Sequence, residues 1–226
     1  STVPTPKGEK VVLRLLDNRN IRIGLNELGF RAEALEKWKK EIESPHGIIL
    51  VTGPTGCGKT TTLYSSLQEM DRKQLNISTV EDPVEYELLG ITQIQVHDKI
   101  DMTFSRALRS LLRQDPDVIL VGEIRDKETA GVAIQAAMTG HLVLSTLHTN
   151  DAPSSLTRLI NIGVEPFLVA SAVNAVLAQR LARRVCQKCV KFEVPTPEEL
   201  ETLDGCTPEK IPHAVGCNHC RDSGYS

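Results

Sequence analysis

The chain contains 226 residues, of which 40% are hydrophobic, and its formal net charge at pH 7 is −3. This length suffices for one full α/β domain with a substantial core and a small appended subdomain. The weak net charge argues against wholesale nucleic-acid binding, and no apolar run in the sequence is long enough to span a bilayer, so we expect a globular protein of the cytoplasm.

A strand and a helix are predicted in the first part of the chain. Residues 10–16 have the composition of a β-strand and indicate the tail of a preceding domain. Apolar side chains then recur at helical spacing and predict a helix over residues 29–43. Because the chain begins almost directly with a strand and stops without a closing element, we expect it to be a fragment of a longer protein.

A phosphate-binding P-loop pattern follows the apolar run at residues 48–51 and precedes a helix-compatible segment. Its glycines allow backbone N–H groups to converge on phosphate oxygens at a helix N-terminus. Lys59 is predicted to reach the β- and γ-phosphates, and Thr60 to ligate Mg²⁺. An accidental glycine-rich turn is the alternative, and the flanking strand and helix argue against it. The predicted nucleotide-binding residues are Gly53, Pro54, Thr55, Gly56, Cys57, Gly58, Lys59, Thr60 and Thr61.

Acidic residues follow two further predicted strands. Glu81 and Glu85 come at and after the end of a strand at residues 76–80, and Glu123 follows the strand at residues 118–121. Ligands of α/β sheets bind beyond the carboxyl ends of the strands. Glu81 and Glu85 are therefore candidates for positioning or activating water, and a solvated acidic turn is the alternative. Glu123 is the candidate for holding Mg²⁺ or its water.

The middle of the chain contains less specific patterns. Residues 91–96 alternate apolar and polar side chains and predict a strand in a surface hairpin. Residues 103–114 predict a helix with three arginines roughly on one face, for which a solvated surface and a functional role both remain open. Asp126 is predicted to cap a helix that runs to about residue 139. The three arginines are Arg106, Arg109 and Arg113.

Two histidines flank a predicted strand at residues 142–146. His141 precedes this strand and His148 follows it, close to several hydroxyl and amide side chains. Such a strand end resembles a sensor that hydrogen-bonds the γ-phosphate, and histidines with a purely structural role are the alternative. Two further helices are predicted, at residues 152–161 and 166–183.

Two Cys-x-x-Cys pairs lie near the end of the chain. In a reducing compartment, six cysteines favour metal binding or free thiols over disulfides. Four thiolates complete a tetrahedral Zn²⁺ shell and leave no position for a catalytic water, so the metal is predicted to be structural. Cys206, His213 and His219 are possible substitutes that we place outside the shell. The predicted ligands are Cys186, Cys189, Cys217 and Cys220.

Together, four segments resemble the motifs of the secretion-superfamily ATPases. Residues 53–64 resemble the Walker A motif, 79–86 the Asp box, 112–126 the Walker B motif and 140–150 the His box. The tetracysteine element is similar to that of the assembly ATPases of type IV pili and type II secretion. Pilus-retraction ATPases, which lack this element, are an alternative, and a RecA-like nucleic-acid translocase is an alternative of a different class.

The resemblance implies an α/β fold with a RecA-like P-loop NTPase core that works as a homo-hexamer with ATP and Mg²⁺. It implies that residues 1–27 end a PAS-like α+β domain, that residues 28–184 form the ATPase core, and that residues 185–226 form a zinc-binding subdomain. The implied partners are an inner-membrane platform protein and a cytoplasmic adaptor. No nucleic acid is implied, and contact with the membrane is made only through these partners.

The resemblance also assigns roles to single residues. Glu123 matches the Walker B carboxylate, and Glu81 and Glu85 match Asp-box positions that act on water. His141 and His148 fall on His-box positions. Arg14 matches an arginine that the family's N-terminal domain directs at the phosphates, and the family's second such arginine falls before Ser1. We therefore expect these 226 residues to bind nucleotide readily and to hydrolyse it slowly.

Overall fold

The computed structural model describes residues 2–13, 23–203 and 205–225. The chain divides into two compact units, Ser1–Arg180 and Leu181–Ser226. The predicted site residue Arg14 lies outside the described residues. Within the described part of the chain, no helix is both long and apolar enough to cross a membrane.

The first unit contains eight strands and six α-helices among its described residues. The strands are β1 (Thr2–Thr5), β2 (Gly8–Val11), β3 (Gly47–Thr52), β4 (Ile77–Glu81), β5 (Thr92–Gln95), β6 (Val118–Val121), β7 (Leu142–Leu147) and β8 (Val173–Ala178). The helices are α1 (Ala32–Ile42), α2 (Lys59–Glu69), α3 (Phe104–Leu111), α4 (Lys127–Met138), α5 (Ala152–Ile162) and α6 (Pro166–Ala172). Short 3-10 helices cover Leu25–Glu27 and Asp98–Ile100. The second unit contains β9 (Lys191–Glu193), α7 (Pro197–Thr202), β10 (Ile211–His213) and a 3-10 helix at Asn218–Cys220.

Six parallel strands form the centre of the first unit, in the order β5-β4-β6-β7-β3-β8. Strand β3 is hydrogen-bonded to β7 on one side and to β8 on the other, so that Val51 lies opposite both Thr146 and Leu177. Every residue of β3 is buried. Helices cover both faces of a parallel sheet, which explains the continuous apolar sequence of this strand. The predicted α/β class is confirmed.

Neighbouring side chains of β3 enter two different hydrophobic cores. Ile48 and Leu50 belong to a cluster with buried residues of α3, α4, α5 and α6. Ile49 and Val51 belong to a second cluster with buried residues of α1 and α2. Because successive side chains of a strand point to opposite faces, the sheet lies between two layers of helices.

The prediction of one helix over residues 166–183 is wrong. Helix α6 is shorter, and the residues after it form β8, the edge strand beside β3. Val176 packs into the core of α3 to α6, whereas Ala175 and Leu177 pack into the core of α1 and α2. Only an extended strand supplies both cores with alternate side chains, so pairing with β3 overrides the helical spacing in the sequence.

The interpretation of residues 91–96 as part of a surface hairpin is also wrong. Strand β5 is the other edge of the central sheet and pairs in parallel with β4. Ile94 and Val96 pack in a cluster with Ala107 of α3. A hairpin on the surface would leave these side chains in water, so burial favours addition to the sheet.

Other local predictions have mixed outcomes. Within the described residues, the predicted strand at residues 10–16 overlaps the end of β2, which pairs antiparallel with the unpredicted β1; residues 14–16 lie outside the described part of the chain. Asp126 caps α4 as predicted, because its Oδ1 accepts the Thr129 N–H at 2.8 Å. The arginines of the α3 region are exposed, and Arg106 and Arg109 form surface ion pairs with Asp101 and Glu128. The arginines therefore lie on a solvated surface, which was the first of the two alternatives for them.

Leu50→Ala should strongly destabilise the first unit. The Leu50 side chain is 0% exposed, so its truncation leaves a cavity and should lower the free energy of unfolding by about 2–5 kcal/mol. Trp38 is the sole tryptophan and is buried in the same unit, so its fluorescence in a urea titration reports this change. Leu89→Ala is the control, because Leu89 is 72% exposed and its truncation should cost less than about 0.5 kcal/mol. Equal effects of the two variants would contradict this core assignment.

Candidate functional site

The predicted P-loop lies at the carboxyl end of β3 and leads directly into α2. Three of its residues have positive φ angles, +149° at Gly53, +80° at Gly56 and +87° at Gly58. Residues with a Cβ rarely adopt such angles. At Gly53 a Cβ would also lie 2.4 Å from the carbonyl oxygen of Gln179. The loop therefore requires glycine for both its conformation and its close contacts.

Lys59 begins α2, and its side chain folds over the loop. Its Nζ donates hydrogen bonds to the carbonyl oxygens of Gly53 at 2.9 Å and Pro54 at 3.1 Å. The residue is only 9% exposed. Since an ammonium group has three N–H donors, these two bonds leave a third for an anion bound in the loop.

A cavity of about 620 Å³ opens beside the P-loop at the carboxyl edge of the sheet. Its lining comes mainly from the P-loop that follows β3, from the ends of β4, β6 and β7 with the residues after them, and from α2. The cavity therefore brings together predicted residues from all four sequence motifs. They include Lys59, Thr60, Glu81, Glu85, Glu123 and His148.

Glu81 is buried at the end of β4, with 3% of its surface exposed. Its carboxylate accepts hydrogen bonds from the Tyr64 hydroxyl, from Thr79 Oγ1 at 2.6 Å and from Gln93 Nε2 at 3.2 Å. Burial, together with the hydrogen bond to Glu81 and its negative charge, raises the pKa of Tyr64 far above its usual value. Tyr64 therefore remains a donor, and three donors compensate the burial of the carboxylate.

Glu123 follows β6 and is another carboxylate that lines the cavity, with its side chain 13% exposed. One of its oxygens pairs with Arg125, and the other lies 3.5 Å from Nε2 of His148. The strand end that carries it is fixed by Thr146, whose hydroxyl donates to the carbonyl oxygen of Gly122 at 2.7 Å. Glu123 therefore presents a carboxylate to the cavity between two basic side chains.

Thr52 ties the end of β3 to the loop after β7. Its Oγ1 lies 2.9 Å from both the N–H and the carbonyl oxygen of Thr149 and 2.7 Å from its hydroxyl. Thr149 Oγ1 in turn lies 2.6 Å from Ser155 Oγ in α5. These bonds fix the base of the P-loop relative to the loop that carries His148.

The structure separates the two histidines that flank β7. His148 lines the cavity, whereas His141 lies at the opposite edge of the sheet, before the strand. Nδ1 of His141 is 2.9 Å from the carbonyl oxygen of Ala136 near the end of α4. His141 therefore has the structural role that was the alternative to a phosphate sensor, and it lies away from the site at the carboxyl ends of the strands.

The sequence patterns did not predict the polar side chains that contact Glu81 and the P-loop. Tyr64, Thr79 and Gln93 surround Glu81, and Gln179 contacts the P-loop from the end of β8. Thr79 and Gln93 had a detectable signal, because each is a polar residue in a segment predicted to be a strand. Gln179 had none, because its segment was predicted as a helix.

In the second unit, the sulfur atoms of the four predicted cysteine ligands all lie within 4.8 Å of one another. The sulfur of Cys220 is 3.8 Å from that of Cys189 and 3.7 Å from that of Cys217. A tetrahedral site with Zn–S bonds of about 2.3 Å separates its sulfurs by about 3.8 Å. Among the described residues, the group contains these four cysteines and does not include Cys206, His213 or His219.

Burial and hydrogen bonds give two of the four cysteines, Cys189 and Cys220, different pKa values. Burial opposes ionisation of Cys220, but the N–H groups of Cys217 and Gly224 donate to its sulfur at 3.2 and 3.3 Å. With the neighbouring thiols they lower the pKa of Cys220 to about 6. Burial, and then the surrounding thiols, raise the pKa of Cys189 to about 11. Four soft donors in this geometry suit a cation such as Zn²⁺.

A parallel α/β core with a P-loop and strand-end carboxylates defines a P-loop nucleotide-binding protein. The family model of the type II/IV secretion system proteins matches residues 1–226. The chain belongs to this family, and the resemblance stated from its motifs is confirmed.

Curated relatives and a solved structure agree with this assignment. The chain is 57% identical over 226 residues to the type II secretion system protein HxcR of Pseudomonas aeruginosa, covering all of this chain and 45% of that protein. It is 54% identical over 230 residues to the type IV pilus assembly ATPase PilB of Myxococcus xanthus, covering all of this chain and 41% of that protein. It thus spans less than half the length of either relative. The crystal structure of the pilus retraction motor PilT with bound ADP matches with a TM-score of 0.72 and 34% identity, covering 82% of this chain and 55% of that chain.

Gly53→Ala should destabilise the first unit, because the new Cβ would meet Gln179 and Cys57 and the φ of +149° would be strained. We expect a loss of about 1–3 kcal/mol in the free energy of unfolding, measured from Trp38 fluorescence in a urea titration. Gly131→Ala is the matched control. Gly131 lies inside α4 with open space around its Cβ position, so this change should stabilise by up to about 1 kcal/mol. A neutral Gly53→Ala would show that the loop does not need glycine there.

Proposed function

We propose that this chain is the ATP-hydrolysing core of a motor that powers type IV pilus assembly or type II secretion. The observation that carries the proposal is the meeting of Lys59, Glu81 and Glu123 at one cavity beside the P-loop. The start of α2, the end of β4 and the segment after β6 bring these three groups to the carboxyl ends of the strands. A polyphosphate with a divalent cation is the ligand whose charges match one ammonium group and several carboxylates.

We assign a separate role to each of the residues around the cavity. Backbone N–H groups of the P-loop and the ammonium of Lys59 would hold the phosphates, and Thr60 would ligate Mg²⁺. When bound, Mg²⁺ neutralises phosphate charge and polarises the terminal phosphoryl group. Glu123 would hold Mg²⁺ or its water, while Glu81 and Glu85 are the candidates for orienting the attacking water. His148, which lies beside Glu123, reports the state of the terminal phosphate.

The mechanical part of the proposal extends the resemblance to the whole protein. We infer that the motor is a ring of six copies that acts on an inner-membrane platform protein, assisted by a cytoplasmic adaptor. The motor then resides in the cytoplasm, peripheral to the inner membrane. Similarity over the whole chain to a pilus assembly ATPase and to a type II secretion protein supports this inference.

The four cysteines of the second unit are proposed to bind a structural Zn²⁺. The fit rests on the sulfur separations of 3.7 and 3.8 Å and on the thiolate-stabilising hydrogen bonds at Cys220. Four thiolates fill a tetrahedral shell, so the metal would stabilise the unit and would not bind a reacting water.

Lys59→Ala should abolish most ATP binding and hydrolysis, because it removes the ammonium group held over the loop.

Glu123→Gln should retain ATP affinity within about threefold and lower turnover at least about a hundredfold, since it removes the charge that holds the cation. Equilibrium ATP binding and phosphate release measure the two effects. Lys73→Ala, which changes an exposed lysine, is the control.

Two outcomes would contradict the proposed function. Unchanged hydrolysis in Lys59→Ala would show that the P-loop is not the site of turnover. Hydrolysis that requires DNA, with salt-dependent DNA binding, would favour the nucleic-acid translocase.

Elemental analysis should find close to one zinc per chain. Cys189→Ser removes one of four ligands and should release the metal, whereas Cys206→Ser, which changes an exposed cysteine outside the group, should retain it. The urea transition of Trp38 should be the same in both variants, because Trp38 lies in the other unit. Protein that is folded but contains no metal would overturn the zinc proposal.

A further inference from the structure

We propose that Gln179 is a positioning residue that holds the P-loop in its phosphate-binding shape. The inference rests on the proposed function, because it concerns the same nucleotide site. The carboxamide of Gln179 bridges two points on the loop and the helix that follows it. Its Nε2 donates to the carbonyl oxygen of Cys57 at 2.8 Å, and its Oε1 accepts from the hydroxyl of Thr62 at 2.7 Å.

The backbone of Gln179 belongs to the same assembly. Its N–H donates to the carbonyl oxygen of Thr52, the last residue of β3, at 2.8 Å. Its own carbonyl oxygen lies against Gly53, close enough that a Cβ there would be 2.4 Å away. One residue at the end of β8 therefore contacts the residue before the loop, the loop itself and the first turn of α2.

The loop needs such support because it binds through its backbone. Affinity for phosphate depends on several N–H groups that point at the same oxygens. Gly53, Gly56 and Gly58 give the loop more conformational freedom than other residues would. A bridge from outside the loop lowers the entropy lost when a nucleotide is bound.

The chemistry of the bridge selects glutamine. It requires a donor for Cys57 and an acceptor for Thr62 on one side chain, and a carboxamide supplies both. A glutamate of the same length can accept from Thr62 but has no donor for the Cys57 carbonyl at neutral pH. Gln179 is not among the described residues that line the cavity, so it acts through the loop and does not contact the reacting groups.

The test compares Gln179→Ala and Gln179→Glu with the wild-type chain and with Asn174→Ala. Asn174 is a matched control, because it lies on β8, the strand that Gln179 follows. Its Nδ2 donates to the carbonyl oxygen of His46 at 2.8 Å, before the start of β3 and away from the P-loop. Dissociation constants for ATP and ADP are measured at equilibrium, and kcat is measured at saturating ATP.

Gln179→Ala should raise the dissociation constants of ATP and ADP about tenfold, because one hydrogen bond to the loop and one to the first turn of α2 are lost. The change in kcat should stay below about threefold, since the reacting groups are untouched. Gln179→Glu should bind no better than Gln179→Ala, whereas Asn174→Ala should stay within about twofold of wild type. Thr62→Val, which removes one arm of the bridge, should weaken binding about threefold.

The possible outcomes separate this inference from the proposed function. If the wild-type chain fails to bind ATP, the proposed function fails and the inference fails with it. If the wild type binds ATP but Gln179→Ala behaves like Asn174→Ala, or Gln179→Glu restores wild-type affinity, only the positioning role is refuted. Trp38 fluorescence verifies that each variant is folded, and Thr62→Val decides the question if Gln179→Ala is unfolded.

Discussion

The pairing of β3 with β7 on one side and β8 on the other is the constraint on which the site depends. Parallel strands end at the same edge of a sheet, so the segments that follow β3, β7 and β8 must meet there. Thr52, the last residue of β3, bonds to Thr149 after β7 and to Gln179 after β8. The shape of the P-loop is thus determined by its neighbours as well as by its own glycines.

Charge compensation explains the rest of the cavity. Carboxylates around a site for a polyanion would repel the ligand unless cations and donors offset them. Glu81 is compensated by Tyr64 and its other donors, and Glu123 by Arg125. Lys59 supplies a positive charge over the loop, and a divalent cation would supply the remainder. The same edge of the sheet therefore suits a magnesium–nucleotide complex better than either component alone.

Sequence patterns predicted the features that depend on residues close together in the chain. The P-loop glycines, the Asp126 cap and the paired cysteines are of this kind, and each has a local chemical reason. The strand at β5 was predicted, but its place at the edge of the sheet was not, and β8 was predicted as part of a helix. The apolar residues of each segment fit more than one arrangement, and only pairing with β4 and β3 decides between them. His141 and His148 were grouped by proximity in sequence, although the six residues of β7 between them extend about 20 Å.

Hydrogen–deuterium exchange with and without Mg-ATP tests the central claim most directly, because it locates the ligand on the chain without a substitution. The account predicts slower exchange in residues 53–61, 81–86 and 122–125, at the carboxyl edge of the sheet. It predicts unchanged exchange around His141 and in residues 186–220. Protection confined to the opposite edge or to the second unit, or no protection of residues 53–61, would contradict the composite nucleotide site.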